Sequence, residues 1–122
     1  MHAPKVLVVE DEFLIRLTLS EALADDGFEV TEAGNSDEAL ALVQQSDGFA
    51  LVMTDVQIPG ELDGMALAQR IREQHPDMPI IYMTGRPSTV GPLANDGRDT
   101  FVAKPYLPSE LCRLARRIVG EG

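Results

Sequence analysis

The chain of 122 residues carries 20 acidic against 10 basic side chains, a formal net charge of −10 that would repel the phosphates of a nucleic acid. Its 44% hydrophobic and 25% charged residues are those of an ordinary globular protein, of a length that supports one core. No apolar run approaches a membrane span, the start has no signal-peptide layout, and a lone cysteine, Cys112, excludes an internal disulfide and fits a reducing cytoplasm.

Along the chain, apolar runs alternate with helical periods. Val6 to Val9 is a continuous apolar strand, the mark of burial on both faces, and it runs straight into Glu10, Asp11 and Glu12. Ile15, Leu19, Ala22 and Leu23 then share one helical face, and Gly27 follows as a stop. Phe28 to Glu32 alternates in and out, which suits an edge strand. Asn35, with Glu38 three residues on, begins a capped helix whose buried stripe is Ala39, Leu42 and Val43. Ala50 to Thr54 is a second continuous apolar strand, and it too ends on a carboxylate, Asp55. After a Pro/Gly loop, Leu67, Ala68 and Ile71 mark a third helix that stops before Pro76. Pro79 to Met83 is another buried strand, and Phe101 to Ala103 a short last one. The intervening residues 86–97 should supply a helix, yet they hold two prolines and two glycines, which predicts a short, irregular one. Pro108 opens the final helix, with Leu111, Leu114, Ala115 and Ile118 inward.

Five strands alternating with helices predict an α/β domain, a parallel sheet covered on both faces. Such sheets bind ligands outside the carboxyl ends of their strands, where the strand order reverses. Glu10, Asp11, Asp55, Thr84 and Lys104 all fall at strand ends and should face that crevice. Three neighbouring carboxylates ask for a divalent cation, and an oxygen-only set without His or Cys favours Mg²⁺ over zinc. Lys104 and Thr84 could hold two oxygens of a phosphoryl group carried by Asp55 as an acyl phosphate. Singly, each residue has an ordinary explanation: Lys104 as an ion-pair partner, Thr84 as a strand-end cap, Glu12 as a charge at a helix start. Together, five suitable side chains after successive strands point to a site. Arg113, Arg116 and Arg117 suit a solvated helix end better than an acidic partner.

The chain resembles, over essentially its whole length, the receiver domain of bacterial two-component response regulators. "VLVVEDE", "LVMTDVQIPGELDG", "IIYMTG" and "FVAKP", in that order, carry the resemblance. It implies a flavodoxin-like (βα)5 fold, a doubly wound five-stranded parallel sheet in the order 2-1-3-4-5, filling residues 1–122 as a single domain with no output domain. By the same resemblance Asp55 is the phosphoacceptor. Mg²⁺, or Mn²⁺ in its place, is held by Glu10, Asp11, Asp55 and the backbone carbonyl of Gln57, with Asp11 the more direct ligand of the acidic pair. Lys104 contacts the phosphoryl group, before a proline such domains often hold cis. Thr84 and Phe101 form the switch. Gln57 and Arg86 stand where side chains set phosphate lifetime. The donor is a sensor histidine kinase or a histidine phosphotransfer protein, and the output is an unnamed downstream protein, met in the cytoplasm without nucleic acid or membrane contact. Such a domain catalyses only its own phosphorylation and dephosphorylation.

Besides Gln57 and Arg86, two further departures from the family's pattern stand out. The loop after Asp55 is one residue longer than usual, with Ile58 where Met is common. The broken 86–97 segment bears on the signalling face that it would share with the last strand and last helix. Rival readings are weaker. A Mg²⁺-dependent phosphohydrolase using Asp55 covalently lacks an evident general acid, since His2 precedes the fold and His75 closes the third helix. A nucleotide or flavin binder needs a Gly/Ser-rich loop after the first strand, and here that loop is acidic.

Overall fold

The computed structural model describes residues 3–46, 48–85 and 98–120. Within them lie five strands, β1 (Lys5–Val9), β2 (Glu29–Ala33), β3 (Phe49–Asp55), β4 (Ile80–Thr84) and β5 (Asp99–Ala103). Four helices accompany them, α1 (Phe13–Asp25), α2 (Ser36–Gln45), α3 (Gly64–Gln74) and α4 (Pro108–Val119). All strand pairs are parallel and the order is β2-β1-β3-β4-β5, so the chain reverses direction across the sheet between β1 and β3. The helix expected within 86–97 lies outside the described residues.

Strand pleating sends successive side chains to opposite faces, which gives the sheet two cores. Leu7, Val9, Val52, Ile80 and Tyr82 pack against Ala39 and Val43 of α2 and Leu67, Ala68 and Ile71 of α3. Val6, Val8, Leu51, Met53, Ile81 and Met83 pack on the other side against Leu19 and Leu23 of α1 and Leu111, Cys112 and Ala115 of α4. The continuous apolar runs of β1, β3 and β4 are explained by this double burial. β2 lies at the edge and is only half-buried, as its alternation predicts.

Local signals behave as their chemistry dictates. The Asn35 carboxamide accepts from the Glu38 N–H at 2.8 Å, and the Glu38 carboxylate accepts from Gly34 N at 2.7 Å. Pro108 starts α4, while the Glu110 carboxylate accepts from Leu107 N at 3.0 Å. Lys104–Pro105 is cis. One expectation is corrected: Ile15 does not join the buried stripe of α1 but is 37% exposed. The first turn of α1 follows only three residues after β1 ends, so it stands beyond the sheet's edge, where Phe13 and Leu14 are exposed too.

Candidate functional site

Each strand of the central pair, β1 and β3, delivers a carboxylate at its carboxyl end. Glu10 follows β1 directly and its N–H donates to Ala33 O of β2 at 3.0 Å, which extends the ladder by one bond. Asp55 is the last residue of β3, and the next N–H, that of Val56, donates to Met83 O of β4 at 3.0 Å. Lys104 follows β5, its N–H donating to Thr84 O at 2.8 Å. Backbone hydrogen bonding therefore orients the residues at the mouth of the sheet before their side chains meet.

The side chains then converge. Carboxylate oxygens of Glu10, Asp11 and Asp55 all lie within 4.8 Å of one another. Lys104 Nζ is 2.8 Å from Asp55 Oδ1 and 3.7 Å from Glu10 Oε1. Glu10 and Asp55 are buried, at 1% and 3% exposure, whereas Asp11 is open to solvent. Burial raises the Glu10 carboxyl to about 7, and the hydrogen bond and charge of Asp55 push the same way. Burial works to lower the Lys104 ammonium, but its hydrogen bond and charge attraction to Asp55, and then the charge of Glu10, outweigh it, so the net shift is upward. The Tyr106 phenol is pushed up to about 12 by burial and by the Glu10 and Asp55 charges.

One ammonium cannot neutralise three carboxylates, and Glu10 Oε1 is buried without a hydrogen bond. An all-oxygen set this close fits a hard divalent cation that keeps part of its water shell. Thr84 lies at the same edge, buried as the last residue of β4. Gln57 is exposed two residues past Asp55. Phe101 is half-buried in β5 and stands opposite Tyr82, the two rings stacked 4.4 Å apart at 16°. Arg86 lies outside the described residues.

The lengthened loop has a defined path. Ser36, at the start of α2, donates its N–H to Pro59 O at 3.0 Å, and its hydroxyl accepts from Leu62 N at 3.1 Å. Gly60 crosses this contact at φ 116°, and a Cβ there would overlap Ser36 Oγ. Gly64 opens α3 against the start of the loop, where a side chain would overlap the carbonyl oxygen of Asp55. These glycines let the loop close tightly behind Asp55.

Three contributors escaped the sequence. Arg16 donates to Glu10 O at 2.8 Å and pairs with Glu32 at 2.9 Å. Tyr82 stacks on Phe101, and Tyr106 lies near the carboxylates. The available hint for Arg16 was its spacing, a cation four residues into the helix that the acidic run opens. Tyr82 was visible as a polar-tipped ring inside an otherwise apolar strand.

A doubly wound sheet with a cluster of carboxylates at its switch point is the architecture of an α/β domain whose pocket suits a cation. A family model described as response regulator receiver domain matches residues 6–116, and the chain belongs to that family. It is thus the phosphoacceptor part of two-component signalling. Family members meet histidine kinases or phosphotransfer proteins and bind Mg²⁺ at an acidic pocket. Over 121 residues the chain is 33% identical to the aerobic respiration control protein ArcA of Escherichia coli K12, covering 98% of this chain and 50% of ArcA. It is 35% identical over 118 residues to the C4-dicarboxylate transport transcriptional regulatory protein DctD of Rhizobium meliloti 1021, covering 94% of this chain and 25% of DctD. The chain thus spans about half the length of ArcA and a quarter of DctD. Among solved structures, a receiver domain from Clostridium thermocellum superposes with TM-score 0.85 at 28% identity, covering 95% and 94% of the two chains. The receiver domain of NtrX from Brucella abortus superposes with TM-score 0.82 at 33% identity, covering 96% and 99%. Among the described residues no helix is long and apolar enough to cross a membrane.

Proposed function

We propose that Asp55 is the residue that takes up the phosphoryl group, from a phosphohistidine on a sensor histidine kinase or a histidine phosphotransfer protein. One observation carries this reading: Asp55, 3% exposed, has an ammonium at 2.8 Å and two further carboxylates within 4.8 Å. A carboxylate oxygen of Asp55 attacks phosphorus as the donor's nitrogen–phosphorus bond breaks, and the imidazole leaves with the bonding pair. Lys104 stays on the phosphoryl oxygens that replace the bare carboxylate as its partner, and the Thr84 hydroxyl donates to another. Glu10, Asp11, Asp55 and the Gln57 carbonyl would hold Mg²⁺, or Mn²⁺, which when bound neutralises charge on the transferring group. Movement of Thr84 toward the phosphoryl group, with Phe101 shifting on its Tyr82 platform, is the proposed switch. Gln57 and Arg86 are the proposed modulators of phosphate lifetime.

The donor has to bring its phosphorus to Asp55, so it must cover the surface beside Lys104. That surface is a groove of about 450 Å³ lined by Leu14, Ile15, Thr18, Tyr106 and Pro108, with Lys104 at its edge. We place the phosphohistidine donor there, over the exposed Phe13, Leu14, Ile15 and Leu107. The described residues do not favour a phosphohydrolase: His75 lies beside Phe49 and Pro79, at the opposite edge of the sheet. Incubation with acetyl phosphate and Mg²⁺ should add one phosphoryl mass to the protein and none to Asp55→Asn. Equal addition to both proteins would move the acceptor elsewhere.

A further inference from the structure

We infer that Arg16 is a positioning residue for metal binding, acting through the main chain of Glu10. The inference rests on the reading of Glu10, Asp11 and Asp55 as the cation site. Residue 10 is held at three points. Its N–H donates to Ala33 O at 3.0 Å, its carboxylate accepts from Glu12 N at 3.1 Å, and its carbonyl accepts from Arg16 Nη1 at 2.8 Å. The third bond is the one that reaches Asp11. The Glu10 carbonyl and the Asp11 N–H belong to one planar peptide, so fixing that oxygen fixes the plane from which the Asp11 side chain departs. Asp11 is the exposed member of the carboxylate cluster and has the most freedom to lose.

Arg16 is itself well anchored. Its Nε donates to Glu32 Oε1 on β2 at 2.9 Å, and its side chain is 18% exposed. A Cβ at Gly34 would come within 3.3 Å of Nη1, so the bare backbone there leaves the guanidinium its room. The planar fork serves Glu32 from Nε and the carbonyl from Nη1, two donors held apart in a fixed geometry, whereas an ammonium would have to make both bonds from one nitrogen on a flexible stem.

This role opposes the residue's charge. A cation beside an acidic pocket repels Mg²⁺, so if Arg16 acted only through its field, removing it would tighten metal binding. Positioning predicts the reverse. The test is a Mg²⁺ titration read from amide shifts in wild type, Arg16→Ala, Arg16→Lys, Glu32→Gln and Asp11→Asn, with thermal melts of each. Arg16→Ala should weaken Mg²⁺ about fivefold or more, Arg16→Lys and Glu32→Gln less, and saturating Mg²⁺ should restore labelling by acetyl phosphate. Unchanged or tighter binding in Arg16→Ala would overturn the inference. If that variant does not fold, unchanged binding in both Arg16→Lys and Glu32→Gln overturns it equally. Equal Mg²⁺ binding by wild type and Asp11→Asn would instead overturn the site reading, so the two failures are separable.

Discussion

α1 has acidic residues at both ends, and they behave in opposite ways. At its start stand Glu10, Asp11 and Glu12; at its finish, Asp25 and Asp26. The second group is badly placed for the helix dipole, which disfavours anions at a carboxyl end. It is relieved by Arg116 of α4, whose Nη1 lies 3.1 Å from Asp26 Oδ1 in an ion pair with side chains 41% and 25% exposed. A pair this exposed is worth little. The first group meets a third carboxylate, Asp55, delivered by a neighbouring strand, and Glu10 and Asp55 are sealed from solvent. Acidic runs are common at helix ends. What gathers one of them into a buried cluster is the parallel sheet, which brings the ends of β1, β3 and β5 to the same edge.

Changes at the two ends of α1 should therefore differ in size and kind. Lys104→Met removes the cation that faces the buried pair. In metal-free protein it should cost on the order of 2 kcal/mol, discounted for the partial exposure of the ammonium, and added Mg²⁺ should recover most of it. Denaturation with and without Mg²⁺ measures both numbers, and a loss that ignores Mg²⁺ would break the comparison. Leu14→Asp alters the exposed apolar surface at the start of α1. It should slow phosphoryl transfer from a phosphohistidine donor protein roughly tenfold while leaving labelling by acetyl phosphate intact. Parallel loss of both activities would place the defect in the pocket rather than in docking.

Glu10→Gln gives a smaller effect whose sign depends on pH. The Glu10 carboxyl is raised from 4.5 to about 7 on folding, so the folded protein holds a proton that the unfolded chain gives up. The stability this contributes is complete below about 4.5 and is lost as pH rises through about 7. Metal-free Glu10→Gln should accordingly be more stable than wild type at pH 8, by on the order of 1–2 kcal/mol, with the gap closing toward pH 5. Melting curves across that range, in chelator, read it directly. Asp26→Asn, at the other end of α1, should change stability by no more than about 0.5 kcal/mol at any of these pH values. A larger change there would mean that Asp26 is more than a surface partner of Arg116.

Much of this was legible in the residues. Val6 to Val9 and Ala50 to Met53 are apolar at every position, the pattern of a short strand buried on both faces, and each run leads to a carboxylate, Glu10 directly and Asp55 after Thr54. Placing those ends together needed nothing beyond the rule that parallel strands share a carboxyl edge. The edge position of β2 was readable from the alternation of Phe28 and Val30 with Glu29 and Thr31, and from the polar Glu32 that follows. Other features depend on where elements stop relative to one another. Ile15 has the spacing of a core residue and is exposed because the first turn of α1 outruns the sheet. The seating of the longer loop on Ser36, and the reach of Arg16 back to the Glu10 carbonyl, are contacts across chain segments that periodicity does not encode. The stacking of Tyr82 on Phe101 follows from the β4–β5 register, which no local pattern sets.

The most direct test of the account is a Mg²⁺ titration followed amide by amide. It should move Glu10 to Glu12 and Asp55 to Gln57 together along a single binding isotherm and leave Asp25 and Asp26 still. Added beryllofluoride should then extend the changes to Thr84 and Phe101. Equal shifts at both ends of α1, or shifts confined to Asp25 and Asp26, would contradict it.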